Sequence, residues 1–220
     1  MRPAAASAVL GLALAVGAPT AWALTRPEAA AGVPVEQALP APPPSLSPEA
    51  GAGAGLLPSV TTRDAAPAPA RSVAAPVRLT VPALGVDAPV DAVGVAPDGQ
   101  MELPEDVSRV GWYRFGPAPG AAGSAVVAGH VDDREQGAGA LFPLRDAAVG
   151  DEVTVTDAVG GTTTWRVVSR ELITKQVLPV ERIFGRDGAP RLTLVTCGGP
   201  FLPEYRSYRD NVVVVAEPVP

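Results

Sequence analysis

The sequence predicts a mainly β domain, a closed or nearly closed β-barrel, over residues 76–220. Short runs of apolar and β-branched residues recur across this range, turn signals separate them, and few stretches have helical length. One folded domain is expected, because 220 residues with 47% hydrophobic content can bury one core of ordinary size.

The predicted strands share apolar residues, alternating or continuous, between Gly- or Asp-containing turns. They are residues 77–86, the segment 90–104 with a turn at Asp98-Gly99, residues 124–130, two strands within 151–172 joined at Gly160-Gly161, and residues 191–197 and 211–218. Two short helical segments are predicted, at residues 139–147, where Pro143 limits the length, and at residues 180–185.

The N-terminal segment, residues 1–25, is a predicted membrane anchor or export signal. Arg2 precedes about twenty mostly apolar residues, enough to span a bilayer. Ala21-Trp22-Ala23 also fits a signal peptidase site. We favour the uncleaved anchor, and the cleaved signal stays open. Either way the rest of the chain is expected outside the cytoplasm.

Residues 26–75 are dense in Pro, Ala and Gly and contain no aromatic residue. Such a composition cannot bury enough surface to fold, so we expect a disordered linker that carries the domain away from a membrane face. The net charge of −6, with no basic run, excludes nucleic acid as a partner class.

Cys197 is the one cysteine and His130 the one histidine of the chain, and each ends a strand-like run. In an exported protein a lone cysteine cannot form an intramolecular disulfide. It is therefore a buried spectator, an intermolecular link or a nucleophile. A thiol nucleophile needs a proton-transfer partner, and His130 is the one histidine available. One Cys and one His cannot supply the ligands of a zinc site.

Acyl transfer also needs a donor that holds the oxyanion or orients the carbonyl. Arg206 and Arg209 follow the cysteine, and Arg209 directly precedes the final strand. A guanidinium stays charged at physiological pH and presents a fixed fork of donors. We assign this role to Arg209 and interpret Arg206 as a solvated surface charge.

These residues resemble the sortase family. "LTLVTC" is similar to the TLxTC motif, with Thr193, Leu194, Thr196 and Cys197 in place, "VVAGHVD" is similar to the histidine segment, and "YRDNVVVVA" matches the arginine at the start of the last strand. The resemblance covers about residues 77–217. "TCGG" and "YRDNVVV" are most similar to class F enzymes of actinobacteria.

The resemblance implies an eight-stranded sortase-type barrel with one or two short helices and a cysteine transpeptidase activity. Cys197 would attack the threonine carbonyl of an LPxTG-like sorting signal on a secreted protein, giving a thioacyl enzyme. His130 would act as general acid and base, Arg209 would position substrate or oxyanion, and Thr196 would contact the substrate. A cell-wall precursor or another amine would then release the product.

No cofactor and no metal is expected, since Asp132, Asp133 and Glu135 after the histidine are interpreted as a solvated loop. The resemblance places substrate specificity in the loop around residues 172–188. Residues 198–208, which begin with a Gly-Gly pair, are expected to form a mobile flap after the nucleophile. Two alternatives stay open: an exported cysteine hydrolase or peptidoglycan transpeptidase, and a non-catalytic anchored binding domain. The second predicts a buried Cys197 far from His130.

Overall fold

The computed structural model describes residues 29–40 and 74–220. Its strands, numbered in chain order, are β1 (Ala30–Gly32), β2 (Pro76–Val81), β3 (Val86–Val93), β4 (Val110–Tyr113), β5 (Ser124–Ala128), β6 (Asp132–Asp133), β7 (Gly137–Ala138), β8 (Glu152–Asp157), β9 (Thr162–Thr174), β10 (Arg191–Leu202) and β11 (Ser207–Pro218). Two four-residue helices accompany them, α1 (Val35–Ala38) and α2 (Val180–Ile183).

Eight strands close into the predicted barrel. Their order around it is β9-β11-β10-β5-β4-β3-β2-β8, and the antiparallel pairing of β8 with β9 closes the ring. Most neighbours are antiparallel, but β5 pairs parallel with β10 and β3 pairs parallel with β4. The mainly β prediction and its eight-stranded form are confirmed.

The core lies on both sides of the barrel wall. Inside, Trp165 and Leu194 are fully buried together with residues of every barrel strand. A second cluster, which contains Val213 and Ile183, covers the outer side of β5, β10 and β11. Burial on both faces explains why β11 carries a continuous valine run rather than an apolar-polar alternation.

Residues 29–40, named here the N-terminal strap, contradict part of the expected linker. β1 pairs antiparallel with β9, and α1 packs Val35 and Leu39 into the outer cluster. Ser169 Oγ donates to the Val33 carbonyl at 2.6 Å, and Glu171 Oε2 accepts the Val35 N–H at 3.1 Å. A few apolar side chains in a Pro-rich stretch are ordered here because the barrel wall offers them a partner surface.

The other residues of the expected linker up to 73, and the expected anchor or signal at residues 1–25, lie outside the described residues. No helix within residues 29–40 and 74–220 has the length and apolar character needed to cross a bilayer.

The segment after the nucleophile candidate differs from the expected flap. The β10–β11 hairpin continues through residues 198–202, with Phe201 opposite Tyr208 beyond a register shift that begins at Gly198. Phe201 and Tyr208 also stack edge to face, with ring centroids 5.3 Å apart. This part of the chain is therefore a bulged extension of the two strands.

Truncation of the strap tests its contribution to stability. Val35 is fully buried, so Val35→Ala leaves a cavity and should lower the free energy of unfolding by about 1–3 kcal/mol. The matched control is Val33→Ala, because Val33 is 46% exposed and should change stability little. Urea unfolding followed by tryptophan fluorescence measures both, and equal midpoints for the two variants would show that the strap does not stabilise the barrel.

Candidate active site

Cys197 lies in the middle of β10, on the outer face of the barrel wall, and the strand continues beyond it to Leu202. Its side chain is a free thiol of intermediate exposure. Along β10, Leu194 belongs to the barrel interior and Val195 to the outer cluster, so alternation directs Cys197 outward with Val195. The binding-domain alternative expected a buried thiol, and Cys197 instead borders two cavities.

His130 follows the strand beside that of Cys197. The parallel register pairs Ala128 with Val195, and the Gly129 N–H donates to the Val195 carbonyl at 3.1 Å. His130 is the next residue and is half-buried. His130 therefore lies two residues beyond Ala128 on one segment, and Cys197 lies two residues beyond Val195 on the other. Both reach the same rim of the barrel, although 67 positions separate them in the sequence.

Thr196 is buried, and its hydroxyl already has a partner. Thr196 Oγ1 donates to the Gly129 carbonyl at 2.8 Å. This bond joins the residue before Cys197 to the residue before His130. The substrate contact expected of Thr196 would therefore have to be made by an atom of Thr196 other than this hydroxyl proton.

Arg209 lies on the same face of the β10–β11 hairpin as Cys197. Asn211 is the cross-strand partner of Cys197, and Arg209 stands two residues before it on β11. The Arg209 guanidinium donates twice to the Asp210 carboxylate, with Nε and Nη2 each at 2.8 Å from an oxygen. Half of the Arg209 side chain stays exposed, whereas that of Asp210 is 2% exposed.

The hydrogen bond from Arg209 lowers the pKa of the Asp210 carboxyl below its usual 3.8, against the burial that raises it. Gly199 makes room for this carboxylate. Its φ is +73°, and a Cβ there would lie 2.1 Å from Asp210 Oδ2. Both glycine properties, the left-handed backbone and the missing side chain, are therefore needed at this position.

Lys175 is the site residue that the sequence reasoning missed. It directly follows β9, and its Nζ lies 3.5 Å from Cys197 Sγ and 2.8 Å from Ser207 Oγ. The one signal in the sequence is that Lys175 is the sole lysine of the chain. Nothing local connects it to a cysteine 22 residues away.

Tyr208 links the hairpin extension to the histidine loop. Its hydroxyl donates to Asp132 Oδ2 at 2.6 Å, and this hydrogen bond raises the pKa of Tyr208 to about 12. Asp132 comes two residues after His130. The loop that begins at His130 is therefore tied to the strand that carries Arg209.

Two cavities meet at Cys197. The first, named here the outer groove, has a volume of about 610 Å³ and borders Cys197 and Lys175. Its other walls are mainly apolar and include Met101, Leu103, Tyr113, Leu178, Ile183 and Phe184. The second, the barrel-mouth cavity, has a volume of about 870 Å³ and is lined by Cys197, Tyr208, Asp132, Asp146, Arg145 and Arg170 among others.

Comparison with known proteins decides the family. The sortase domain family matches residues 79–219, nearly the whole barrel and more than half of the chain. The chain belongs to the sortase family. It is a cysteine transpeptidase by class, and its one cysteine is Cys197. A comparison with curated protein sequences gave no match.

Solved structures with the same fold are sortases as well. Sortase C-1 from Actinomyces oris is 19% identical, with a TM-score of 0.51, over 65% of this chain and 73% of that protein. Sortase C1 from Streptococcus agalactiae is 20% identical, with a TM-score of 0.50, over 65% and 66%. Sortase A from Listeria monocytogenes is 20% identical, with a TM-score of 0.50, over 67% and 88%. These likenesses show the sortase fold.

The described part of the sortase chain offers no group of side chains that could bind a metal ion. There, no three side chains of His, Cys, Asp or Glu are grouped so that they could hold an ion. In the loop after His130, Asp133 Oδ1 instead accepts the backbone N–H groups of Glu135 and Gln136. These bonds lower the pKa of Asp133, and they give this carboxylate a structural role in the loop.

Asp210 makes stability depend on pH. Because its folded-state pKa is depressed, the charged carboxylate stabilises the fold above pH 3.8, and this contribution is lost as the pH falls through the lower folded pKa. Asp210→Asn should lower the free energy of unfolding at pH 7 by about 1 kcal/mol, a modest value because Arg209 is half exposed.

Urea unfolding of wild type and Asp210→Asn between pH 2 and pH 7 measures this contribution. The gap between the two proteins should close at the acidic end. A gap that is constant across the whole range would mean that the carboxylate charge does not stabilise the fold.

Proposed function

We propose that this sortase cleaves an LPxTG-like C-terminal sorting signal through a thioacyl intermediate and joins the protein to an amine of the cell wall. The observation that carries the proposal is the parallel register of β5 and β10, which brings the backbones of His130 and Cys197 to one rim of a sortase barrel. Thiol nucleophile and imidazole acid-base are the two groups that such an acyl transfer requires.

The proposed reaction has two half-reactions. In the first, the Cys197 thiolate attacks the threonine carbonyl carbon of the signal. The C–N bond to glycine then breaks, and His130 gives a proton to the departing amine. In the second, His130 takes a proton from the incoming amine as its nitrogen attacks the thioester carbonyl. The C–S bond breaks, the thiolate returns, and an amide joins the two substrates.

Arg209 is proposed to hold the oxyanion or the substrate backbone. It shares the face of Cys197, and its exposed half can donate beyond the Asp210 carboxylate. Asp210 holds the guanidinium in one orientation before substrate arrives, and such preorganised donors are the effective ones in acyl transfer.

The outer groove is proposed to receive the sorting signal. Its walls are mainly apolar, which suits a leucine-proline segment, and it ends at Cys197. Residues 172–188, where the sequence placed specificity, supply Lys175, Leu178 and Phe184 to it. The barrel-mouth cavity borders the same thiol from the other side and is proposed to admit the amine, which would approach the thioester without displacing the signal from the groove.

The finer assignments also remain proposals. "TCGG" and "YRDNVVV" support a class F enzyme, and the apolar segment at residues 1–25 supports attachment to the outer face of the cell membrane. Secreted proteins with sorting signals and a cell-wall precursor or other amine are the proposed partners.

Activity on a sorting peptide tests the proposal. Wild type incubated with a panel of fluorogenic LPxTG-type peptides and an amine should release the quencher and form the amide, seen by mass spectrometry. Cys197→Ala should lose at least about a thousandfold of this rate, because no other thiol is present. Cleavage without amide formation would indicate the cysteine hydrolase alternative, and no cleavage of any peptide by wild type would overturn the sortase substrate assignment.

The proposed role of Arg209 can be tested by comparing the effect of its substitution with that of a neighbouring arginine. Arg209→Ala should lower kcat by about a hundredfold or more, since an oxyanion donor acts in the transition state. Arg206→Ala is the matched control, because Arg206 is an equally exposed arginine of the same hairpin and is not the one that the Asp210 carboxylate holds. Peptide cleavage rates of both variants give the answer, and equal effects from the two substitutions would remove Arg209 from the mechanism.

A further inference from the structure

We propose that Lys175 is a further catalytic residue of this chain, whose ammonium group holds the Cys197 sulfur as a thiolate by a charge-assisted hydrogen bond. The inference rests on the proposed function only in taking Cys197 as the nucleophile. Its test needs no sorting signal, so the two can fail separately.

Three strands, β9, β10 and β11, position Lys175 beside the cysteine. Thr174, at the end of β9, pairs with Asp210 of β11, and Lys175 is the next residue. Its Nζ donates to Ser207 Oγ at 2.8 Å and to Cys197 Sγ at 3.5 Å. The hydroxyl from the start of β11 therefore fixes the ammonium beside the sulfur on β10. Lys175 is half-buried, so water screens this contact only in part.

The neighbouring carboxylates do not compete with the Cys197 thiol for the Lys175 ammonium. Asp210 attracts the Lys175 ammonium, but both of its oxygens accept hydrogen bonds from Arg209. Asp132, the acidic residue on the histidine loop, accepts the Tyr208 hydroxyl proton. Neither carboxylate contacts Lys175 by a hydrogen bond, and its two partners are a hydroxyl and the sulfur.

The other charged or titratable groups around the sulfur come from separate elements. His130 reaches the rim after β5, and Arg209 shares the β10–β11 face. Tyr208 lies close enough to Cys197 to interact electrostatically with it, and its raised pKa keeps it neutral at physiological pH. Arg145 borders the barrel-mouth cavity with its guanidinium over the Phe142 ring, 4.1 Å from the centroid. Lys175 is the cation for which a hydrogen bond to the sulfur is observed.

Lys175 would act in both half-reactions. An ammonium next to sulfur favours the charged nucleophile, so His130 would be left to exchange protons with the departing and incoming amines. When the thioacyl bond forms, sulfur loses its charge, and Ser207 still holds the ammonium. When the C–S bond breaks, the negative charge returns to sulfur beside the same cation.

The experiment measures alkylation of Cys197 by iodoacetamide from pH 6 to pH 10 in wild type, Lys175→Met and Lys175→Arg. Since the chain has one cysteine, mass spectrometry reads this site alone. Loss of the opposite charge should move the rate profile of Lys175→Met to higher pH. At pH 7 this shift should slow alkylation up to about tenfold. Lys175→Arg should stay near wild type, because it keeps the charge.

Gln176→Met is the matched control, since Gln176 is the exposed neighbour and contributes to neither cavity. Its profile should equal that of wild type. Thermal unfolding by circular dichroism checks that each variant is folded before labelling. A folded Lys175→Met protein with the wild-type profile would overturn the proposal, whatever the outcome of peptide cleavage. A shifted profile in a protein that cleaves no sorting peptide would support the Lys175 inference while the substrate assignment fails.

Discussion

The parallel pairing of β5 with β10 positions the site, because strands that run in the same direction leave the sheet at the same rim. In an all-antiparallel barrel, neighbouring strands would end at opposite rims, and residues at their carboxyl ends would lie far apart. Here Ala128 pairs with Val195, and the Thr196–Gly129 hydrogen bond fixes the next step of both segments. A long connection through β6 to β9 makes the parallel arrangement possible, and the two sides of the site therefore come from distant parts of the sequence.

A charged carboxylate is buried at this rim, although burial of an unpaired charge in a barrel would be costly. Asp210 points to the side of β11 that carries the interior residues, and its burial is compensated by two hydrogen bonds from Arg209. Under the proposed function the same carboxylate holds the guanidinium that would donate to the substrate, so the stability of this end of the hairpin and the position of Arg209 depend on one ion pair.

The barrel could be predicted from the sequence because its signals are local. Alternating apolar residues mark the strands, Gly160-Gly161 marks the β8–β9 hairpin, and the end of β5 marks His130. The expected strand end at Cys197 was wrong, because β10 continues to Leu202. The strap could not be predicted, since its few apolar residues gain a partner only from a wall built by distant parts of the chain, such as Ile183 and Val213. The Lys175 contact was equally hidden. It depends on the β9–β11 register and on the bulged end of β10, neither of which a local pattern reveals.

The bulge after Cys197 also bears on how an acyl group could pass between two amines. The register of β10 and β11 shifts between Gly198 and Phe201, so the wall changes direction just beyond the sulfur, and the outer groove and the barrel-mouth cavity meet there. Under the proposed function, a signal held in the apolar groove would leave the barrel-mouth side of the thioester open. That side carries two carboxylates, Asp132 and Asp146, and two guanidiniums, Arg145 and Arg170. The acceptor amine would therefore reach the thioester through the second cavity while the signal still occupies the apolar groove.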